Sequence, residues 1–508
     1  MEDQDAIEAL LTKVQDAKRV KNTSPTSGFE RQQTPANGIV EISVSSNIDE
    51  SLETMFEATE RLDIDYKGHC QYHGDFAGLA FLHQIGERCS HLLNANSTKA
   101  EAFLNLPLRH AFASEDLSSR GVQQNSRNLC PLPPQTTAQR LTKLAFNGAS
   151  CLLTFIHVPA FDQLLDRVYS ANPGDFTRAE ETFLPLLYGA MAIGEMFSGA
   201  SQKEGAPATS IEQMKGINYF RAAQALLGAA DWRDTTSLQA IICVIIYLQS
   251  SGSMHSCYSY ISIAISASLQ MGLHRSSASA HLDPVQRETR SRLFWVIQTM
   301  ATYVTTLLGL PTTLSDEDID QELPLCVGDE NLTTPSSPLA TSRMTAVNAH
   351  IRLIRIMRNL VHEIYPRAKH SGEKIGEPYC VNYALIVKYE EELDLWFQGL
   401  PAPTPTDSIQ PDNLRTQLLL RLAYAHVQMV LYRPFIHHII RAESKDVPEM
   451  RAFACASACI KAAMQIVWIV GELSNRGLLV GAYWFTVYIL RSHGPMYVHH
   501  RKPRRSDS

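Results

Sequence analysis

The chain has 508 residues, of which 45% are hydrophobic and 19% charged, with a formal net charge of -7. That balance excludes a disordered polymer and allows about two to four domains or one extended helical array. The acidic total excludes a whole-chain basic footprint for nucleic acid, though not a local patch.

Residues 1–21 contain Ile7, Leu10, Val14 and Ala17 at heptad spacing. Two heptads suit either a short dimerising helix or a solvated one. Residues 22–136 are expected to be linker and irregular chain, the stretch 22–50 being rich in Ser, Thr, Asn, Gly and Gln. Its HCQYH at 69–73 brings His69, Cys70 and His73 together with no second cluster nearby, so no zinc site is assigned. The opening residues lack the apolar core of a secretion signal. The longest uninterrupted apolar runs, at 238–248 and 478–490, fall short of the roughly 18 residues of a bilayer span. No membrane partner is therefore expected, and the ten cysteines read as reduced thiols of a cytosolic or nuclear protein.

From residue 137 the pattern is helical. The stretch 210–228 places Met214, Ile217, Ala222, Ala225 and Leu226 along one stripe. The stretches 235–252 and 257–275 predict two helices broken at Gly252, antiparallel because the loop is so short. Gly272 suits the left-handed position that ends the second. The next helix has an N-cap in Asp283, Pro284 at its first position and Gln286 where a capping box wants Glu or Gln. Its apolar stripe (Leu293, Val296, Ile297, Met300, Val304, Leu307, Leu308) stops at Gly309 and Pro311.

Five carboxylates then occupy seven residues: Asp316, Glu317, Asp318, Asp320 and Glu322. A calcium loop would need Gly and a bidentate Glu where Gln321 and Val327 stand. Helix capping by Ser315 or Asp316 and plain solvation account for much of the cluster. Residues 328–342 and 400–411 read as loops. The stretch 414–435 is a helix carrying Leu414, Leu418, Leu422, Ala425 and Met429, ended by Pro434. His437 and His438 are assigned to surface or packing. Cys455 and Cys459, one helical turn apart in a small-residue run, are expected to be buried. The fold class is all-α, a multi-helix array of antiparallel pairs. No GxGxxG, GxxxxGK[ST], HExxH or GxSxG occurs, so no catalytic, cofactor-binding or metal-ligating residue is assigned and no enzyme is expected.

Several pieces together resemble the fungal-specific transcription factor domain, the regulatory region of fungal binuclear zinc-cluster activators. They are GLHR at 272–275, the Arg-rich approach to LFW at 293–295, LG-x-P at 308–311, the acidic D-x-DID before Leu323-Pro324, and PLCVGDE at 324–330. FIHVPAFDQLLDRVY at 155–169 and LAYAHVQMVLYRPFI at 422–436 agree with it. The last acidic piece looks most like the xylanolytic and acetate-type activator branch. The resemblance implies a regulatory domain at 137–400, a C-terminal helical extension at 401–490 and a basic tail at 491–508. It also implies a nuclear regulator of RNA polymerase II genes that dimerises with itself or a relative, contacts the transcription machinery and answers to a small-molecule effector. The alternative is a helical interaction or ligand-sensing protein that tunes a full-length regulator.

The family's DNA reader is a six-cysteine cluster holding two zinc ions, and no CxxC pair occurs in these residues. DNA contact is thus expected only indirectly or through such a cluster, missing either by gene-model truncation or naturally. The tail RKPRR at 501–505 reads as a nuclear-localisation patch or as intron read-through.

Overall fold

The computed structural model describes residues 51–54, 61–64, 70–73, 130–198, 215–228, 232–311, 314–332, 343–365, 379–400, 411–438 and 450–478. The heptad of 7–17, the linker of 22–50, most of the 478–490 run and the basic tail lie outside them.

Among the described residues eleven α-helices carry the fold, which is all-α. They are α1 (Gln135–Lys143), α2 (Val158–Ser170), α3 (Arg178–Phe197), α4 (Ile217–Leu227), α5 (Thr235–Ser251), α6 (Met254–Gln270), α7 (Pro284–Leu308), α8 (Arg343–Ile364), α9 (Tyr383–Gln398), α10 (Pro411–Tyr432) and α11 (Met450–Asn475). Helix α3 packs on α1, α4 and α5, then α5 on α6, α6 on α7, α7 on α8, α8 on α9 and α10, and α10 on α11. One hydrophobic cluster runs through all of them, from Ala138 to Leu473. The helices beyond residue 400 therefore share the core of those before it.

Helix α5 lies at the centre. Every residue from Ser237 to Gln249 is buried, as an apolar helix without a polar face requires. Gly194 lets α3 approach α1, since a Cβ there would collide with the Leu141 carbonyl. Helix α7 is also enclosed, buried on all sides from Ser291 to Leu308. The apolar stripe read from the sequence is only part of its contact surface, because α7 is packed by α5, α6 and α8 together. In α4 the helix begins only at Ile217. Gly216, at φ 80°, stands at its N-cap, and the buried residues of the helix are Ile217, Phe220, Ala222, Ala223 and Leu227. Of the predicted stripe, Ile217 and Ala222 are buried, Leu226 is half-buried and packed against the core, Ala225 is exposed, and Met214 lies outside the described residues.

Two two-stranded antiparallel ladders are the extended elements among the described residues. Strand β1 (Ser51–Glu53) pairs with β4 (Cys380–Asn382), placing Leu52, fully buried, opposite Val381. Strand β2 (Arg61–Ile64) pairs with β3 (Cys70–His73), so most of HCQYH lies in a strand, Cys70 opposite Ile64 and His73 opposite Arg61.

Helix α11 is long and apolar enough, by length and composition, to cross a membrane. Its isolated Arg, Ser, Lys and Gln residues conceal this from a search for uninterrupted apolar runs. In the fold its face of Ala452, Cys455, Cys459, Ala462, Ile466, Ile469 and Leu473 is buried against the rest of the protein.

Candidate functional site: an acidic clasp

The site is assembled where α6 turns into α7. Gly272 at φ 71° reverses the chain just after α6, and Leu273 plugs the core behind it. The Asp283 carboxylate accepts from the Gln286 backbone N–H at 2.9 Å and Pro284 opens α7. Arg290, in the second turn of α7, reaches back to the reversal. Its Nη2 donates to the Met271 carbonyl at 2.6 Å and its Nε to Ser279 Oγ at 2.8 Å.

Over this corner lies an acidic strap, residues 314–332. Asp320 binds the GLHR turn in three ways. Its backbone N–H donates to the His274 carbonyl at 3.2 Å, its Oδ1 accepts from the Ser276 N–H at 2.7 Å, and its Oδ2 lies 3.5 Å from Arg275 Nη1. The next fastening is the Glu322 carbonyl, which accepts from Ser291 Oγ and Trp295 Nε1, both at 2.9 Å. Asn348 of α8 then donates its Nδ2 to the Pro324 carbonyl at 2.6 Å.

The strap's deepest anchor is Arg292, 2% exposed on α7. Its Nε donates to Glu288 Oε1 at 2.8 Å, one turn back, and its Nη1 to Asp329 Oδ1 at 2.6 Å. Both carboxylates are used twice. Glu288 Oε2 accepts from the Leu325 N–H at 3.1 Å, and Asp329 Oδ2 from the Val158 N–H at 2.9 Å, at the start of α2. A carboxylate at a helix N-terminus also meets the positive end of the helix dipole. One guanidinium thus ties the strap, α7 and α2 together. Farther up the strap, Asp316 pairs with Arg358 of α8, a side chain whose burial lowers its pKa from the usual value.

The acidic cluster is therefore not simply solvated, as the sequence suggests. Asp316 and Asp320 meet arginines that lie 42 and 45 residues away in sequence, while Glu317, Asp318 and Glu322 remain exposed. Ser315 occupies the N-cap position of a single turn at Asp316–Asp318 but makes no side-chain cap bond there. Among the described residues, no group of three His, Cys, Asp or Glu gathers as a metal site would. Cys151, Cys243, Cys257, Cys455 and Cys459 are buried free thiols, whereas Cys326 and Cys380 are exposed. Burial pushes the Cys459 thiol up to about 12, which keeps it protonated.

A second polar group stands deeper, among α7, α8 and α10. Tyr303 hydroxyl and His350 Nε2 are 2.9 Å apart, both fully enclosed. Burial pushes His350 down to about 4, against a hydrogen bond with the Leu152 backbone. Burial, with the nearby Arg433, lowers His426 to about 3. Arg433 of the LYRPF motif lies over the Tyr365 ring and donates to its hydroxyl at 2.8 Å. His437 and His438 are buried, and His438 Nε2 lies 2.9 Å from the Glu53 carbonyl beside β1.

Arg275, Arg292 and Asp329 stand in the sequence only as letters of the family motifs, without partners, and Glu288 and Arg358 carry no assigned role there. One signal was available: Glu288 and Arg292, an opposite pair at i,i+4 on the side of α7 that leads into its apolar run.

The fold and the clasp define a helical scaffold domain, in which polar side chains are spent on joining segments far apart in sequence. Residues 146–398 match the family described as the fungal specific transcription factor domain, and the chain carries that domain. Over 71% of its length it is 33% identical to Activator of stress genes 1 of Saccharomyces cerevisiae, covering 37% of that protein. It is 32% identical to Activator of stress genes protein 1 of Candida albicans, over 74% of this chain and 41% of that one. Transcriptional activator protein acu-15 of Neurospora crassa is 27% identical over 74% of this chain and 38% of its own length. The chain thus spans about two fifths of the length of these curated relatives. GLHR, the arginines before LFW, D-x-DID and PLCVGDE, scattered in sequence, are the parts of one clasp.

Proposed function

We propose that the chain is a transcriptional regulator of RNA polymerase II genes, acting in the nucleus through its helical domain rather than by catalysis. The observation that carries this reading is the match to three relatives named as activators, which runs through the clasp and the helices around it. On this reading the scaffold transmits a signal. Its partners are the transcription machinery, a second copy or a related regulator, and a small-molecule effector. Its contact with DNA is indirect or through a zinc cluster that these residues do not supply.

The experiment is to tether the full chain upstream of a reporter gene through a foreign DNA-binding domain in a fungal cell. Reporter output should rise or fall at least severalfold against the tether alone. No change in output, combined with a changed output of a co-expressed full-length relative, would favour the alternative of a modulator without DNA contact. A salt-titrated shift assay on the untethered chain should show only weak binding without base preference, because base-edge readout needs an element the sequence does not contain.

A further inference from the structure

Under the start of the strap, between α6, α7 and α8, lies a small cleft with an apolar floor that includes Ile261, Ile265 and Leu314. Its polar groups differ in how far they are committed. The hydroxyls of Ser262, Thr302 and Thr305 donate to carbonyls of their own helices at 3.0, 2.9 and 2.8 Å, as helical Ser and Thr commonly do. Gln298 is different: its side chain is buried at 7% exposure, and Nε2 finds no hydrogen-bond partner in the described structure. A buried N–H left without an acceptor is costly and is filled by water or a ligand. Arg358, 8% exposed, also lines the cleft, and its guanidinium is met by the Asp316 carboxylate. That carboxylate is the more open partner, at 36% exposure, on a single helical turn of the strap.

These features describe a carboxylate site occupied by the protein's own carboxylate. Two donors, a buried guanidinium and an amide N–H without an acceptor, belong to residues that line the same cleft as these apolar side chains. An anion with a short hydrocarbon tail satisfies all three, whereas a bare inorganic anion leaves the floor unused and a neutral molecule leaves Arg358 without a counter-charge. The enclosed space as it stands suits a water-sized occupant. A larger guest must therefore displace Leu314 and Asp316, which both belong to the strap.

We propose that this cleft binds a small aliphatic carboxylate, which replaces Asp316 at Arg358, accepts from Gln298 Nε2 and lifts the start of the strap away from α8. The exchange keeps Arg358 paired, so the gain over the closed state comes from the Gln298 hydrogen bond and from burial of the tail. In its biological sense the proposal rests on the effector-responsive reading above. The physical site does not depend on that reading.

The test uses the full chain and butyrate, titrated at constant ionic strength against chloride and followed by calorimetry and by NMR shifts. Saturable binding is expected. Asp316→Asn removes the internal competitor and should tighten it by roughly tenfold, while Gln298→Leu, close in volume, should weaken it by a similar factor. Arg358→Gln should abolish it. If that variant fails to fold, the other two decide the matter alone. Inorganic phosphate at equal concentration should compete weakly. The proposal is overturned if butyrate fails to saturate the Asp316→Asn chain, if Asp316→Asn leaves affinity unchanged, if Gln298→Leu binds as well as wild type, or if phosphate displaces butyrate mole for mole. Reporter output that ignores butyrate while these titrations succeed would count against the effector reading and leave the site standing.

Discussion

Helix α5 and the strap 314–332 belong to one domain, yet they are held by opposite means. In α5 the residues Leu238 to Leu248 are enclosed by apolar neighbours, and no charged side chain takes part. Such packing is non-directional and scales with buried area, so many apolar residues of similar size would serve. The strap is half open to solvent and is fixed by individual bonds to Arg275, Arg292, Arg358, Trp295 and Asn348. Each of these needs its own side chain in one register. The difference explains why the clasp, and not the central helix, carries recognisable words such as GLHR and D-x-DID.

The comparison can be broken most severely at Arg292. Replacing it with Met should cost about 3–5 kcal/mol in urea or thermal unfolding, because Glu288 and Asp329 lose the charge that holds them. A loss under about 1 kcal/mol would mean that the strap is not anchored there.

Acid should come next. His350 and His426 are held neutral in the fold at about 4 and about 3, below their usual 6.5. The unfolded chain takes up their protons first as the pH falls. Their stabilising effect is therefore complete above pH 6.5 and declines below it, His350 alone accounting for roughly 3 kcal/mol by pH 4. His350→Gln should flatten that part of the stability profile. An unchanged slope between pH 6.5 and 4 in the variant would contradict the assignment.

In α5, by contrast, Ile246→Val should cost only about 0.5–1.5 kcal/mol, since one methylene leaves and the neighbours relax partly. The smallest effect belongs to Arg275. Its pair with Asp320 is about half exposed on both sides, so Arg275→Ala should cost less than about 1 kcal/mol and the cost should fade in high salt. A cost that survives molar salt would show that this outer bond carries more than its exposure allows.

The sequence announced the elements better than their joints. Asp283, Pro284 and Gly309 delimit α7 correctly because caps and stops act locally. The break at Gly252 and the burial of Cys455 and Cys459 were legible for the same reason. Gly216 was not recognised as a break, because a glycine within an apolar periodicity does not announce a positive φ. The family words gave the location of the clasp, but not its bonds. Asp329 reaches the Val158 amide across 171 residues, and Asp316 reaches Arg358 across 42. No spacing rule links residues so far apart. The carboxylates accordingly looked like a solvated run until their arginines were placed beside them.

Native-state hydrogen exchange tests the clasp most directly. The Leu325 and Val158 amides, bonded to Glu288 and Asp329, should be protected in the wild type. In Arg292→Met both should exchange at least tenfold faster in conditions where the α5 amides keep a protection of their own. Leu325 and Val158 amides that exchange at unprotected rates in the wild type, or that lose protection only together with α5, would contradict it.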